Sequence, residues 1–186
     1  MPDSPDLQAF FSRDVTVVAR ELLGAELLFD GVGGLIAETE AYHPSDPASH
    51  SFSGRTERNA SMFLGPARVY VYRSYGIHWC FNLVCAGAAA VLIRAIEPTR
   101  GIERMVERRG VAEARALCSG PGKVGQALGI TRAQDGFLVS EPPFSLRPAA
   151  ELPPVVIGPR IGISKAVDQP WRFGIAGSAF LSRAFR

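Results

Sequence analysis

Glu38 and Glu40 stand two residues apart, and Tyr42 follows them in the same alternation. Beyond a loop rich in Pro, Ser and Asp come His50, Tyr70, Tyr72, Tyr75, His78 and Asn82. All four tyrosines and all three histidines of the chain fall between Glu38 and Asn82. A fold alone does not need its polar aromatics gathered this way. A pocket for a flat, hydrogen-bonding ligand does, because aromatic faces stack and polar edges orient. A carboxylate beside such a pocket can take a proton from water.

The two glutamates could instead form a glycosidase pair. Two apart on one strand face, their stems start only about 7 Å apart. Flanking a sugar from opposite sides needs another geometry, so one glutamate activating water fits better. His43, Asp46 and His50 are of zinc-ligand type. Their spacing, broken by Pro44 and Pro47, matches no helical or knuckle motif, and no metal is assigned. The stretch CSGPGKVGQALG around Lys123 lacks the spacing of a triphosphate loop, and Val124 stands where a hydroxyl would hold magnesium. Either the helix start and Lys123 hold one backbone phosphate, or the stretch is a plain helix cap.

The elements that must position these residues can be read from patterning. Leu7 to Arg13 and Asp14 to Leu23 read as helices, the second capped by Asp14, with Val17, Val18, Leu22 and Leu23 on its apolar face and Gly24 as its stop. Ala25 to Asp30 and Leu35 to Tyr42 read as a hairpin turned by GVGG. Alternation puts Glu38, Glu40 and Tyr42 on one face, with Ile36 in phase, and Thr39 and Ala41 on the other. That acidic face is either solvent-exposed or functional. Residues 43–60 form a long loop, which in a compact domain often carries function. A turn of helix follows at Met62 to Pro66. Arg68 to Tyr75, Ile77 to Cys85 and Ala89 to Ile96 read as successive strands, with Gly76 leaving Tyr75 at a tip and Pro98 ending the sheet region. Helices follow at Gly101 to Arg109, Val111 to Leu117 and Pro121 to Leu128, the first with Ile102, Met105 and Val106 on its apolar side, the last stopped by Gly129. Strand-like pieces come at Phe137 to Ser140, Val155 to Ile163, Trp171 to Ile175 and Ala179 to Ser182, and the proline-rich residues 141–154 read as a surface excursion.

A length of 186 residues with 47% hydrophobic and 20% charged content fits one domain, with enough chain for a sizeable core. No apolar run reaches membrane-spanning length, and the acidic start MPDSPDLQAFF is not a secretory signal. Cys80, Cys85 and Cys118, odd in number and without a Cys-x-x-Cys pair, point to reduced thiols in a cytoplasmic protein. The net charge of +2 conceals a tilt: residues 1–50 balance at −7 and the rest at +9. The basic portion could face an anionic polymer, or the tilt could be an ordinary solvated surface.

The segments ETEAY, DPASH, GRTERN, YVYRSYGIHWCFN, VLIRAIEP and LCSGPGKVGQALGI, in this order, closely resemble the alkyladenine (3-methylpurine) DNA glycosylase family. The likeness runs from about Arg20 to the closing WRFGIAGSAFLS. It implies an α+β fold: a single mixed domain, a curved antiparallel sheet with a protruding β-hairpin, and flanking helices. It implies a monofunctional enzyme, a monomer without cofactor or Schiff base, that flips damaged purines out of double-stranded DNA. Those purines include 3-methyladenine, 7-methylguanine, hypoxanthine and ethenoadenine. By the family's pattern Glu40 activates water, Arg94 lies near that water, and Tyr42 stacks on one face of the flipped base. His50 and Tyr72 match the opposite face, and Asn82 matches the floor that disfavours normal guanine. Tyr75 matches the wedge filling the emptied stack, flanked by Ile77 and His78. Arg68, Arg73 and Lys123 are expected phosphate contacts near the wedge and the helix start. Ala67, where a Gly is usual, and the wedge's neighbours depart from the pattern and bear on the breadth of lesions accepted. A non-catalytic damage-binding module and a metal-dependent hydrolase using His43 and His50 are the competing readings.

Overall fold

The computed structural model describes residues 6–185, so the reading of the first five residues as part of an acidic start lies outside the described residues. Two short helices open the chain, α1 (Leu7–Phe11) and α2 (Val15–Glu21). Asp14 caps α2, accepting from the backbone N–H of Thr16 at 2.9 Å and of Val17 at 3.3 Å. Val18, Leu22 and Leu23 are buried as expected, but Val17 is 41% exposed and lies outside the apolar face.

A hairpin follows, β1 (Glu26–Phe29) and β2 (Val32–Tyr42). Its turn is the pair Asp30-Gly31, both left-handed at φ 48° and 72°, the geometry that Asp-Gly favours between tightly paired strands. GVGG is therefore not the turn. Gly33 and Gly34 lie inside β2, where an added Cβ would come within 2.0 Å of the Leu27 carbonyl and 1.9 Å of the Glu97 carbonyl.

Then come β3 (Val69–Ser74), β4 (His78–Val84) and β5 (Ala90–Arg100), the helices α3 (Ile102–Arg109), α4 (Ala114–Leu117) and α5 (Pro121–Leu128), and β6 (Phe144–Arg147), β7 (Val155–Gly158) and β8 (Arg172–Ile175). All pairings are antiparallel, in the order β3-β4-β5-β2-β1-β6. Past the end of β1, the same edge of β2 pairs with β8, and β8 with β7. The result is the curved antiparallel sheet of a mixed α+β fold, with the β3–β4 hairpin projecting and the helices covering one side.

The sheet runs further than the proline signal implied. Pro98 lies within β5, paired with Gly34. β4 accompanies β5 only as far as Leu92, so at Pro98 no strand on the other side needs its missing N–H. Residues 144–147 of the proline-rich excursion pair with β1 as β6. Phe137 to Ser140 makes only an isolated bridge through Leu138, and Ala179 to Ser182 is turn rather than strand. α4 begins later than its pattern, at Ala114, and in α3 Met105 is buried while Ile102 is 40% exposed.

One core holds the sheet and helices together, built from Phe11, Leu22, Leu27, Val71, Phe81, Ile93, Ile96, Val124, Leu128 and their neighbours. The α5 glycines are packing residues: a Cβ on Gly122 would meet His78 at 2.8 Å, and one on Gly125 the Trp79 carbonyl at 2.2 Å. That close approach seats the start of α5 beside the tip end of the β3–β4 hairpin.

Candidate active site

β2 and β5 carry the centre of the site, and two irregularities aim it. The register shifts around Glu38, so that Ile36 pairs with Ile96, Glu38 with Ala95, and Thr39 with Ile93. Ala37 on β2 and Arg94 on β5 are thus each an extra residue in the ladder, as in a bulge. The shift returns Ile36 to the core beside Ala41, although simple alternation puts it with the glutamates. It leaves Glu38, Glu40 and Tyr42 on the opposite face, the one that Leu92 and Arg94 share by alternation on β5.

That face is not solvated. Glu38 and Glu40 are completely buried and Arg94 is 7% exposed. Glu38 is saturated with donors. Its Oε1 accepts from Arg94 Nε at 3.0 Å, Arg172 Nε at 2.7 Å and the Ser182 hydroxyl at 2.8 Å, and its Oε2 accepts from the Ser182 N–H at 2.6 Å. Glu38 therefore anchors β5, β8 and the closing segment together. Glu40 is held more lightly. Its Oε2 accepts from the Tyr42 hydroxyl at 2.7 Å, its Oε1 accepts from the Ile161 N–H at 2.7 Å, and Arg94 NH1 lies 3.4 Å from Oε1.

Burial pushes the Glu40 carboxyl above the ordinary range. Arg94, the Ile161 N–H and Tyr42 pull it back, while Glu38 adds to the rise. Burial opposes the charge of Arg94, but Glu40 and Glu38 outweigh it and hold the guanidinium protonated. The outcome is a carboxylate with raised proton affinity next to a fixed cation, the electrostatics of a general base.

A cavity of about 480 Å³ is lined by Tyr42, Arg94 and Ile161, the three partners of Glu40, while Glu40 itself is enclosed behind them. Tyr70, Tyr72 and His50 form an aromatic wall, with Asn82 and Leu92 between it and those three. The His50 ring meets Tyr72 edge-on with centroids 4.5 Å apart, and His50 Nδ1 is hydrogen-bonded to the Tyr70 hydroxyl at 2.8 Å. Burial, with help from Arg58, pushes the His50 pKa down, which keeps the imidazole neutral and compatible with stacking. Burial pushes the Tyr70 hydroxyl up to about 12, so it remains protonated. Asn82 Nδ2 donates to the Tyr70 carbonyl at 3.1 Å, which fixes the amide within the β3–β4 ladder.

The hairpin tip rises from the same wall. Tyr75 and Gly76 are both left-handed, at φ 50° and 67°, and the Ile77 N–H donates to the Ser74 carbonyl at 3.0 Å. This is a type I′ turn, at home with Asn, Asp or Gly but not with a large side chain. Tyr75 is nevertheless 86% exposed and Ile77 67%, with His78 exposed beside them. Arg73 is exposed with its guanidinium over the Trp79 ring, and Lys123 is exposed at the α5 start, its Nζ 3.3 Å from the Ser119 hydroxyl. Arg68 lies elsewhere. It precedes the far end of β3, about 20 Å along the strand from the tip, and its NH1 donates to the Gly136 carbonyl. Its position fits bracing the 132–138 loop rather than a phosphate beside the wedge.

The zinc-type residues of the loop have other partners. Asp46 is ion-paired with Arg160, His50 is bonded to Tyr70, and His43 Nδ1 lies 2.7 Å from the Ser45 hydroxyl. Among the described residues no three His, Cys, Asp or Glu side chains gather as a metal cluster. All three cysteines are free and buried. No helix of the described residues is long and apolar enough to cross a membrane.

The sequence named Tyr70 among the gathered aromatics, on one strand face with Tyr72, but it gave no sign of Arg160, Ile161, Arg172 or Ser182. Ile161 acts through its backbone N–H, which no side-chain pattern marks. Arg160, Arg172 and Ser182 lie in the closing pieces, 114 residues or more from the acidic residues they hold, where local patterning carries no pairing signal.

Comparison with known proteins gives the family. Residues 9–179 match the family model described as Methylpurine-DNA glycosylase (MPG). A protein of Nitrosospira multiformis is 61% identical over 179 residues, covering 95% of this chain and 93% of the relative. One of Rhodopseudomonas palustris (strain HaA2) is 57% identical over 185 residues, covering 98% and 92%. One of Rhizobium meliloti (strain 1021) is 58% identical over 176 residues, covering 95% of each. All three carry the name "Putative 3-methyladenine DNA glycosylase". A family match across nearly the whole chain, joined to a buried glutamate behind an aromatic cavity, makes the protein a DNA glycosylase, a DNA-repair hydrolase acting on DNA: the chain belongs to the Methylpurine-DNA glycosylase family.

Proposed function

We propose that the chain is a monofunctional glycosylase that flips damaged purines out of the duplex and hydrolyses their N-glycosidic bond with water activated by Glu40. The carrying observation is the buried Glu40, held by Tyr42, Ile161 and Arg94, which themselves line an aromatic cavity. The damaged base enters between Tyr42 and the His50–Tyr72 wall, where stacking contributes roughly 1–3 kcal/mol. Its sugar C1′ then faces Glu40 and Arg94. Glu40 takes a proton from water as the water oxygen bonds to C1′. The C1′–N9 bond breaks and its electron pair leaves with the purine. An N-alkylated purine is already positive and departs neutral, so no strong acid is needed for it.

Asn82 screens bases at the cavity floor, and Tyr75 fills the stack that the nucleotide vacates, offsetting the unstacking cost. Ile77 and His78 support Tyr75, while Arg73 and Lys123 hold flanking phosphates. The substrates are 3-methyladenine, 7-methylguanine, hypoxanthine and ethenoadenine in double-stranded DNA, and the enzyme works as a cytoplasmic monomer without a cofactor. A panel of duplexes, each with one of these lesions, tests this. The expected result is free base plus an abasic strand that alkali cleaves, unaffected by chelator. Tight lesion binding without base release would instead make the protein a damage-binding module, and loss of release with chelator would revive a metal mechanism.

A further inference from the structure

Arg160 is 6% exposed and reaches the site from behind. Its guanidinium carbon lies over the Tyr42 ring, 4.6 Å from the centroid, and over the Trp171 ring at 5.2 Å. NH1 donates to the Ala41 carbonyl at 3.0 Å and is ion-paired with Asp46, and NH2 donates to the Ala166 carbonyl at 3.3 Å. Nε is buried without a partner. Tyr42 lines the cavity and Arg160 does not, so the cation sits against the ring face turned away from the ligand space. The next residue, Ile161, supplies the N–H that holds Glu40.

We propose that the Arg160–Asp46 pair is a specificity device: it sets how strongly the slot prefers positively charged over neutral damaged bases. The inference rests on the reading of Tyr42 as a base-stacking wall. An N-alkylated purine such as 7-methylguanine brings a positive charge to the ring, and hypoxanthine does not. An aromatic face attracts a cation through its electron-rich π cloud. A guanidinium on the opposite face draws on the same cloud and repels a second cation, so it weakens the slot for charged bases and leaves neutral ones nearly unaffected. Asp46 tempers this by neutralising much of the Arg160 charge. The two residues thus act on the base ratio in opposite senses, whereas a merely structural brace would lower both substrates alike.

The test is the ratio of single-turnover excision rates for 7-methylguanine and hypoxanthine in one duplex context, measured for the wild type, Asp46→Asn and Asp46→Asn/Arg160→Gln. Each ratio comes from one protein sample, so a partly unfolded preparation lowers both rates and leaves it unmoved. Asp46→Asn exposes the ring to an unneutralised cation, and its ratio should fall below wild type. The double variant removes the cation, and its ratio should rise by about fivefold, the scale of one cation–π contact. Ratios that stay at the wild-type value, or that move in the same direction in both variants, would overturn the inference while leaving the proposed function intact. If the double variant does not fold, the direction of the Asp46→Asn ratio decides alone. A wild type that releases neither base would overturn the proposed function, and this inference with it.

Discussion

Glu38 and Glu40 are neighbours of the same type on one strand face, and their surroundings give them different tasks. Glu38 meets two arginines and both polar groups of Ser182, which leaves no lone pair aimed at the cavity. Glu38→Gln should therefore act on folding: breaking a buried pair of this kind costs about 3–5 kcal/mol, to be read from the denaturant midpoint. Glu40 behaves in the opposite sense. Its folded pKa lies above the ordinary value of 4.5, so the native state binds the proton more tightly than the unfolded state does. The stability from that proton is complete below the unfolded value and is lost as pH rises through the raised folded value. At neutral pH the Glu40 charge is therefore a cost. Glu40→Gln should melt no lower than wild type near pH 7, with the gap closing in wild type's favour as pH falls below the ordinary carboxyl value. A lower melting temperature for Glu40→Gln at pH 7 would contradict the burial argument. The roles expected for Glu40, Tyr42, His50, Tyr72 and Asn82 come from the family resemblance, while the gathering of polar aromatics near a carboxylate points from the residues themselves to one pocket. The difference between the two glutamates could not be read from sequence, because it depends on Arg172 and Ser182 arriving from the far end of the chain.

At the level of elements, β2 and β5 exist as strands by alternation, yet alternation alone aims them wrongly. The paired bulges at Ala37 and Arg94 turn Ile36 and its partner Ile96 into the core, and a two-residue period contains no sign of them. Pro98 similarly reads as a strand end and is tolerated because its side of β5 is unpaired. The β3–β4 hairpin was legible throughout: Tyr70 and Tyr72 alternate, and Gly76 marks the tip. What the structure adds is that Tyr75 itself is left-handed at φ 50°, a conformation that costs a non-glycine residue roughly 1–2 kcal/mol. A tyrosine kept there and 86% exposed serves something other than folding. Tyr75→Asn creates the Asn-Gly turn that a type I′ hairpin prefers. It should raise the melting temperature slightly or leave it unchanged. A fluorescent lesion that responds to unstacking should report flipping reduced at least tenfold. A destabilised Tyr75→Asn protein that flips normally would make Tyr75 a packing residue and place the wedge elsewhere.

Over the whole molecule, the acidic first 50 residues supply the buried glutamates, and the basic remainder supplies exposed Arg55, Arg58, Arg73 and Lys123. Arg58 NH2 lies 3.4 Å from the Arg73 carbonyl, which brings two exposed cations together beside the hairpin. Duplex affinity should fall linearly in log–log terms with added salt. Arg73→Ala should weaken lesion-bearing and undamaged duplexes alike and lower the slope by about one, and a slope unchanged by Arg73→Ala would remove that contact. On the proposed function, this fold brings water, Glu40 and a flipped sugar together. The most direct test of that claim is single-turnover base release by Glu40→Gln on a lesion duplex, with lesion binding measured on the same protein. The amide keeps the shape of the side chain but cannot accept the proton from water. The account predicts loss of release by at least a thousandfold, in line with removal of a general base, with lesion affinity within a fewfold of wild type. Release at the wild-type rate by a folded, lesion-binding Glu40→Gln protein would contradict it.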